Sequence, residues 1–308
     1  KVLKAALLVK DEGIATPILL GDKEMILQLI EEYQLDFTAD DIIDPKSHDS
    51  TARRKTLGKQ FFEVRSRRGM TLTDAVSRMR STSYFGSMML KNGEADALIT
   101  GVTKKYANAI KPPLQIIGKA PKANRVAGMY VILRKEGPLF FSDITINENP
   151  TAEDLVEITL LTYRAVKDFN VKPRIALLSY SNMGSSKSAE AVTVRKAVEI
   201  LHRDHPHIVV DGELQGNFAI NSDLLNESFP FTKLGKGAAN TLIFPNLSSG
   251  NIAYKLIQEI TEYDVIGPIL LGMDKSVHVL QMGSSVREIA NMATLAVVNA
   301  QLIESRRK

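Results

Sequence analysis

The 308-residue chain contains no cysteine. That excludes a disulfide framework, a protein thiolate nucleophile and the cysteine-based zinc motifs. No apolar run approaches the roughly 18 residues of a membrane-spanning helix, and no secretory leader is visible. Excess charge is small: 39 Lys and Arg face 35 Asp and Glu, a net of +4. On its own that is too little to indicate nucleic acid. Short-period repeats and low-complexity linkers are also missing. His202, His205 and His207 crowd into "HRDHPH", but Pro206 breaks the helical spacing and no further ligand pattern completes a zinc site. No metal site is expected. A clustered Asp set beside a nicotinamide loop is absent too, so a metal-dependent decarboxylating dehydrogenase is not expected within these residues.

What is present is an ordinary globular composition, 44% hydrophobic and 24% charged. The length allows a large core in two lobes. A reducing cytoplasm suits the lack of cysteine. The first helix, "KVLKAALLVKDEG", begins without Met and without a cap. The expectation is a piece cut from a longer protein.

Strand-like and helix-like segments alternate, which predicts α/β units with mainly parallel sheets. Short strands are expected at 17–20, 41–44 and 97–100. Helices are expected over about 23–33, 51–67, 72–80 and 82–91, with Phe61, Phe62 and Val64 facing inward. "KKYANAIKPPLQII" reads as helix broken by Pro112 and Pro113. "RVAGMYVILRK" and "PLFFSD", joined at Glu136-Gly137, read as an antiparallel hairpin. Thr151 and Asp154 cap a helix to about 169. Strands at 174–180, 207–212 and 241–245 then alternate with helices over about 188–203 and 250–261. "GPILLG" and "VHVL" return to strand, and a final helix runs over 285–305.

Three strand ends open into small polar residues: "SYSNMGSSKSAE", "PNLSSGNIAYK" and "QMGSSVRE". Ligands of open α/β sheets collect beyond the carboxyl ends of strands, and backbone N–H groups with hydroxyls suit phosphate oxygens. "NMGSSKS" is not a Walker A loop, because its first glycine is missing. Each loop singly is also what turns and caps use; all three together favour an extended polyanionic ligand. Arg65, Arg67 and Arg68 end a helix before Gly69. They serve either the helix dipole or a phosphate. Ser285 and Glu288 form the S-x-x-E signature of a helix start. Lys104 and Lys105 beside Tyr106 read as a solvated helix start.

"VRSRRGMT", "YFGSMMLKNGEADALITG", "LLSYSNMGSSKS", "DGELQ", "IFPNLSSGNIAYK" and "GPILLG" together resemble the phosphate acetyltransferase (phosphotransacetylase) family, in order and over nearly the whole chain. The resemblance implies two αβα three-layer lobes with mainly parallel sheets, the second inserted in the first and a cleft between them. Here the first lobe is expected at 1–122 plus 268–308, and the second at 123–267. It also implies dimerisation through the second lobe, and a reaction of acetyl-CoA with phosphate that needs no metal and no enzyme-bound acyl group.

Carried over residue by residue, Arg65 matches a phosphate-binding arginine. Glu288 stands where the family has an aspartate proposed as base for the CoA thiol; its other role is the capping box with Ser285. Lys111 replaces a second arginine, keeping the charge but losing the bidentate fork. Gln281 replaces a serine that assists the reacting carbonyl, and Met282 replaces an arginine that grips the phosphoryl group. Ser181, Gly184, Ser185, Ser186, Lys187, Ser188, Asn246, Gly250, Asn251, Gly283 and Ser284 match loops around the ligand cleft.

The loss of an electrostatic stabiliser costs on the order of 10²–10³ in rate. On that ground Gln281-Met282 suggests a pocket that binds CoA without turnover. "VLQMGSSVREIANMATLAVVNAQ" further resembles the phosphotransacetylase-like C-terminal domain of bacterial NADP-dependent malic enzymes. The leading expectation is therefore a catalytically silent regulatory domain with acetyl-CoA or CoA as effector. NADP and Mg or Mn would belong to an absent N-terminal malic enzyme domain, the expected partner. Two alternatives stand beside it: an active phosphate acetyltransferase, and a structural dimerisation module.

Overall fold

The computed structural model describes residues 1–307. In chain order the elements open with α1 (Val2–Asp11), β1 (Leu19–Leu20), α2 (Lys23–Glu32), β2 (Ile42–Ile43), α3 (Thr51–Arg65), α4 (Leu72–Arg78), α5 (Thr82–Asn92), β3 (Ala97–Thr100) and α6 (Tyr106–Ile116). The middle of the chain supplies β4 (Ala127–Arg134), β5 (Gly137–Ser142), α7 (Ala152–Asp168), β6 (Ile175–Leu178), α8 (Ala189–Asp204), β7 (Val210–Leu214), α9 (Gly216–Ile220), α10 (Ser222–Ser228), β8 (Thr241–Ile243), α11 (Leu247–Ile260) and β9 (Asp264–Leu271). Last come β10 (Ser276–Val279) and α12 (Val286–Ser305).

The chain divides into two compact units. One comprises Lys1–Pro121 with the segment from Met273 onward, and the other is Lys122–Gly272, inserted between them in sequence. The expected lobe boundary at 267/268 moves to 272/273. Residues 268–272 complete β9, whose Ile269, Leu270 and Leu271 pair with Met129, Gly128 and Ala127 of β4. A strand cannot leave its ladder halfway without abandoning backbone hydrogen bonds.

In the first unit β1 pairs with β2, and β3 with β10, both in parallel. Helix α5 is the spine of this unit: every residue from Ser83 to Leu90 is buried. Gly86 explains how so dense a helix fits. A Cβ there would lie 2.8 Å from a methyl of Leu20 and 3.0 Å from one of Leu98, so two strands close on bare backbone. Phe61 is fully buried on α3, but Val64 is 41% exposed. Three residues on from Phe61, its side chain leaves the buried stripe, contrary to expectation.

A second expectation also fails. Helix α6 runs unbroken through Pro112 and Pro113. Each proline removes one backbone donor at a cost of about 3 kcal/mol in a helix interior. Both rings are buried, and Pro113 still accepts from the Ile117 N–H at 2.8 Å. Packing, together with a ring already set near helical φ, offsets the two missing bonds.

In the second unit six strands form one mixed sheet in the order β7-β6-β8-β5-β4-β9. The hairpin β4–β5 is antiparallel, β4 also pairs antiparallel with β9, and the remaining ladders are parallel. Strands β6 and β8 are buried at every position, as befits parallel strands covered on both faces. Tyr130, Ile132, Phe141, Ile144, Leu178, Leu242 and Phe244 anchor its core. Among the described residues no helix is long and apolar enough to cross a membrane, and no cluster of His, Cys, Asp or Glu could hold a metal ion.

Candidate active site

In the first unit, the parallel pairing of β3 with β10 places two loops side by side. Thr100 lies opposite Val279 in the ladder, and the Leu280 N–H donates to the Thr100 carbonyl at 2.8 Å. Gly101 follows at φ +109°, where a Cβ would stand 2.1 Å from the Leu280 carbonyl oxygen. Only glycine permits both that backbone and that approach. The segments 101–105 and 280–285 therefore leave the sheet together, at the carboxyl ends of two parallel strands. This is where α/β folds place ligands.

Two cationic side chains of different character belong to these elements. The Lys104 ammonium is half-buried and donates to the hydroxyls of Thr82 and Ser83, each at 2.9 Å. Ser83 Oγ lies 3.1 Å from Thr100 Oγ1. Burial lowers the Lys104 pKa below the ordinary lysine value, and the charge of Lys46 adds to this. The expectation of a solvated helix start at Lys104 is thus incorrect. Sequence reading passed over it because its partners lie 21 and 22 positions away. Lys111, by contrast, is exposed on α6.

Arg65 closes α3, and its Nε is buried with no hydrogen-bond partner among the described residues. An uncompensated buried donor is costly, so this Nε calls for an acceptor. It sits one turn beyond Phe61, which packs on Tyr84 with ring centroids 5.4 Å apart. Tyr84 Oη donates to Gln115 Oε1 at 2.8 Å, and Gln115 lies one turn beyond Lys111 on α6. Helices α3, α5 and α6 are thereby tied at Tyr84, the neighbour of Ser83. Arg67 and Arg68 are exposed.

The turn from β10 into α12 has the expected capping box. The Ser285 hydroxyl accepts from the Glu288 N–H at 3.1 Å, and the Glu288 carboxylate accepts from the Ser285 N–H at 2.6 Å. Gly283 takes φ +92°. Ser284 Oγ donates to the Gln281 carbonyl at 3.0 Å. Met282 is 60% exposed.

In the second unit, the β6–α8 loop is held from inside. Glu213 of β7 is fully buried. Its Oε1 accepts from Ser181 Oγ at 2.9 Å, from the Gly184 N–H at 2.9 Å and from Arg195 Nη2 at 3.0 Å, while Oε2 accepts from Arg195 Nε at 3.2 Å. Burial pushes the Glu213 carboxyl up. The Arg195 guanidinium, the Gly184 N–H and the Ser181 hydroxyl outweigh it and leave the pKa below the ordinary value.

Several residues expected at the ligand make contacts within the protein. Ser181 points inward to Glu213, and Ser185 Oγ lies 3.0 Å from Ser181 Oγ. Ser188 caps α8. Ser186 Oγ lies 2.7 Å from Tyr180 Oη. Asn246 caps α11 and donates to Glu190 at 2.9 Å. Gly250 is packing: a Cβ there would lie 2.4 Å from Ile144 Cγ2. Lys187 is exposed and Asn251 partly exposed. Glu213 and Arg195 went unremarked in the sequence. Glu213, the acid within the quoted "DGELQ", was the available signal.

The chain is of the α/β class, with hydroxyl-rich loops and cations at parallel strand ends, where ligands of such folds collect. Residues 1–297 match the family model "Phosphate acetyl/butaryl transferase", and the chain belongs to that family. It is 36% identical to a phosphate acetyltransferase of Clostridium acetobutylicum, over 94% of this chain and 88% of that one. It is similar in structure to a phosphotransacetylase from Streptococcus pyogenes, with a TM-score of 0.88, 36% identity, and coverage of 98% of this chain and 91% of that chain. An NADP-dependent malic enzyme of Haemophilus influenzae is 37% identical over 98% of this chain, but this chain spans 40% of its length.

These matches overturn the expectation of a silent regulatory domain of a malic enzyme. Identity to the two kinds of relative is nearly equal, and what separates them is coverage. The chain accounts for nearly the whole of a phosphate acetyltransferase and well under half of a malic enzyme. Gln281 and Met282 are a local difference set against agreement along 297 residues, too little to argue a lost activity.

Proposed function

We propose that this chain is a phosphate acetyltransferase, converting acetyl-CoA and inorganic phosphate into acetyl phosphate and CoA, reversibly. The observation that carries the reading is the family match from residue 1 to 297 together with coverage of 88% of a named phosphate acetyltransferase. In this reaction a phosphate oxygen attacks the thioester carbonyl carbon. The C–O bond forms, the C–S bond breaks, and the electron pair leaves on sulfur, which takes up a proton. Nothing is oxidised or reduced, so the transfer calls for no electron carrier. Acetyl-CoA as substrate is consistent with a cytoplasmic setting.

The charge demand of that step is a phosphate dianion brought against a developing oxyanion. Preorganised donors at such a position contribute on the order of 10²–10³ in rate each. Arg65, with its unsatisfied Nε, suits the phosphate oxygens, and Lys111 adds positive potential from α6. Glu288 is the candidate to exchange the thiol proton through Oε1, since the capping bond from the Ser285 N–H engages Oε2. Within the inserted unit taken by itself, the exposed Lys187 and the partly exposed Asn251 are candidates for contact with CoA. Incubation with acetyl-CoA and phosphate, with thiol release followed by a chromogenic disulfide, tests the reading. Turnover in the range of about 1–10³ per second is expected, and absence of thiol release at millimolar substrates overturns it.

A second copy of the chain is the proposed partner of the inserted unit. Ile252, Leu256 and Ile260 stand four residues apart on α11 and are 59%, 57% and 75% exposed. Lys255 and Glu259 flank this stripe one turn apart. Their opposite charges are self-complementary about a two-fold axis.

A further inference from the structure

Lys104 is a half-buried cation bonded to two hydroxyls, Thr82 Oγ1 and Ser83 Oγ. No carboxylate partners it among the described residues. A lysine brought to that degree of burial without a counter-ion is energetically unfavourable. The charge of Lys46, of the same sign, opposes it further. The surroundings supply more hydroxyl than charge: Thr100 Oγ1 lies 3.1 Å from Ser83 Oγ. Both strand-end loops of the β3–β10 ladder run past this point, the second carrying Gln281 and Met282. Met282 offers no charge to an anion there. The arrangement is a half-buried cation surrounded by hydroxyls, two of which accept from it.

We propose that Lys104, with Thr82, Ser83 and Thr100, forms a phosphate-binding site of the first unit in addition to Arg65, and that its ammonium supplies the positive charge that position 282 does not. This rests on the acetyltransferase reading for its role in turnover, but the anion site itself does not depend on it. The Lys104 ammonium contacts a phosphate oxygen directly, and the hydroxyls of Thr82 and Ser83, which now accept from it, turn to donate to the incoming anion. A compact ammonium is a point charge rather than a fork, so the hydroxyls supply the directionality that an arginine would bring by itself.

Two measurements on the full chain test this. In the first, inorganic phosphate is titrated by calorimetry into the parent protein and into Lys104→Met and Lys104→Arg, with far-UV circular dichroism confirming the fold of each. Loss of phosphate binding in Lys104→Met with retention in Lys104→Arg supports the site. Unchanged phosphate binding in a folded Lys104→Met overturns it, as does a parent that binds no phosphate. In the second, steady-state kinetics separate the substrates. A charge-assisted hydrogen bond corresponds to roughly 10–100-fold in affinity, so Lys104→Met raises KM for phosphate by about that factor and leaves KM for acetyl-CoA unchanged. An unaltered KM for phosphate in an active variant sinks the inference while the acetyltransferase reading survives. A parent that binds phosphate through Lys104 but releases no thiol sinks the acetyltransferase reading and supports the site.

Discussion

Replacement of Arg195 by Met isolates the contribution of a single buried carboxylate. In the parent chain Glu213 is fully buried and accepts four hydrogen bonds, two of them from the Arg195 guanidinium at 3.0 and 3.2 Å. Arg195→Met leaves Oε2 without a donor and Oε1 with two neutral ones, Ser181 Oγ and the Gly184 N–H. Breaking a buried ion pair from one side costs about 3–5 kcal/mol. The Arg195 side chain is 32% exposed, and solvent screening places the loss at the lower end, about 3 kcal/mol. For a unit of this size that is a fall in Tm of about 6–12 °C.

The pH dependence carries the sharper test. The folded-state pKa of Glu213 lies below the ordinary value of 4.5. Its contribution to stability is therefore fully present above that value and is lost as pH falls through the lower folded pKa. Without Arg195 the largest opposition to burial is gone, and only the Gly184 N–H, the Ser181 hydroxyl and the residue's own backbone N–H remain. The folded pKa rises towards or past the ordinary value, so the variant loses most at neutral pH. Denaturant unfolding of parent and variant at about pH 7, 5.5 and 4 should show the gap widest at neutrality and narrowing with acid. A gap that stays constant across this range, or one below about 0.5 kcal/mol at neutral pH, would refute the reasoning.

Two further outcomes follow from the site and the surface. Ser285→Ala removes one half of the α12 cap and should cost about 0.5–2 kcal/mol in denaturant unfolding with kcat unchanged, whereas Glu288→Ala should cost a similar stability and also lower kcat by about 10²-fold or more if its carboxylate moves the thiol proton. Equal kcat in the two variants would reduce Glu288 to a cap. Leu256→Asp, at the centre of the exposed α11 stripe, should convert a dimer to monomers in light scattering coupled to gel filtration, with the fold intact by circular dichroism. A variant as dimeric as the parent would remove α11 from the interface.

Much of the fold was legible in sequence because it rests on local pattern. The alternation of strand and helix, the hairpin at Glu136-Gly137, the Thr151 cap of α7 and the Ser285–Glu288 box involve residues within a few positions of one another. "YFGSMML" was readable as a packed helix because bulk and glycine fall at helical spacing. Pro112 and Pro113 misled because a local rule was overridden by burial, which no short window reports. Met282 misled in a different way. One side chain was weighed without the charges that the fold brings to the same loop ends.

Sequence by itself therefore determined the class of fold, the order of most of its elements though not α9 and α10, the caps of α7 and α12 and the family, since each is written in contiguous spacing or in motifs spread along the whole chain. Tertiary structure alone decided that Lys104 meets Thr82 and Ser83, that Glu213 and Arg195 hold the β6–α8 loop, that Ser181 turns inward and that residues 268–272 stay with the inserted unit. Those contacts join positions 18 to more than 100 residues apart, and their energy depends on desolvation and hydrogen-bond geometry, which exist only once the chain has closed on itself.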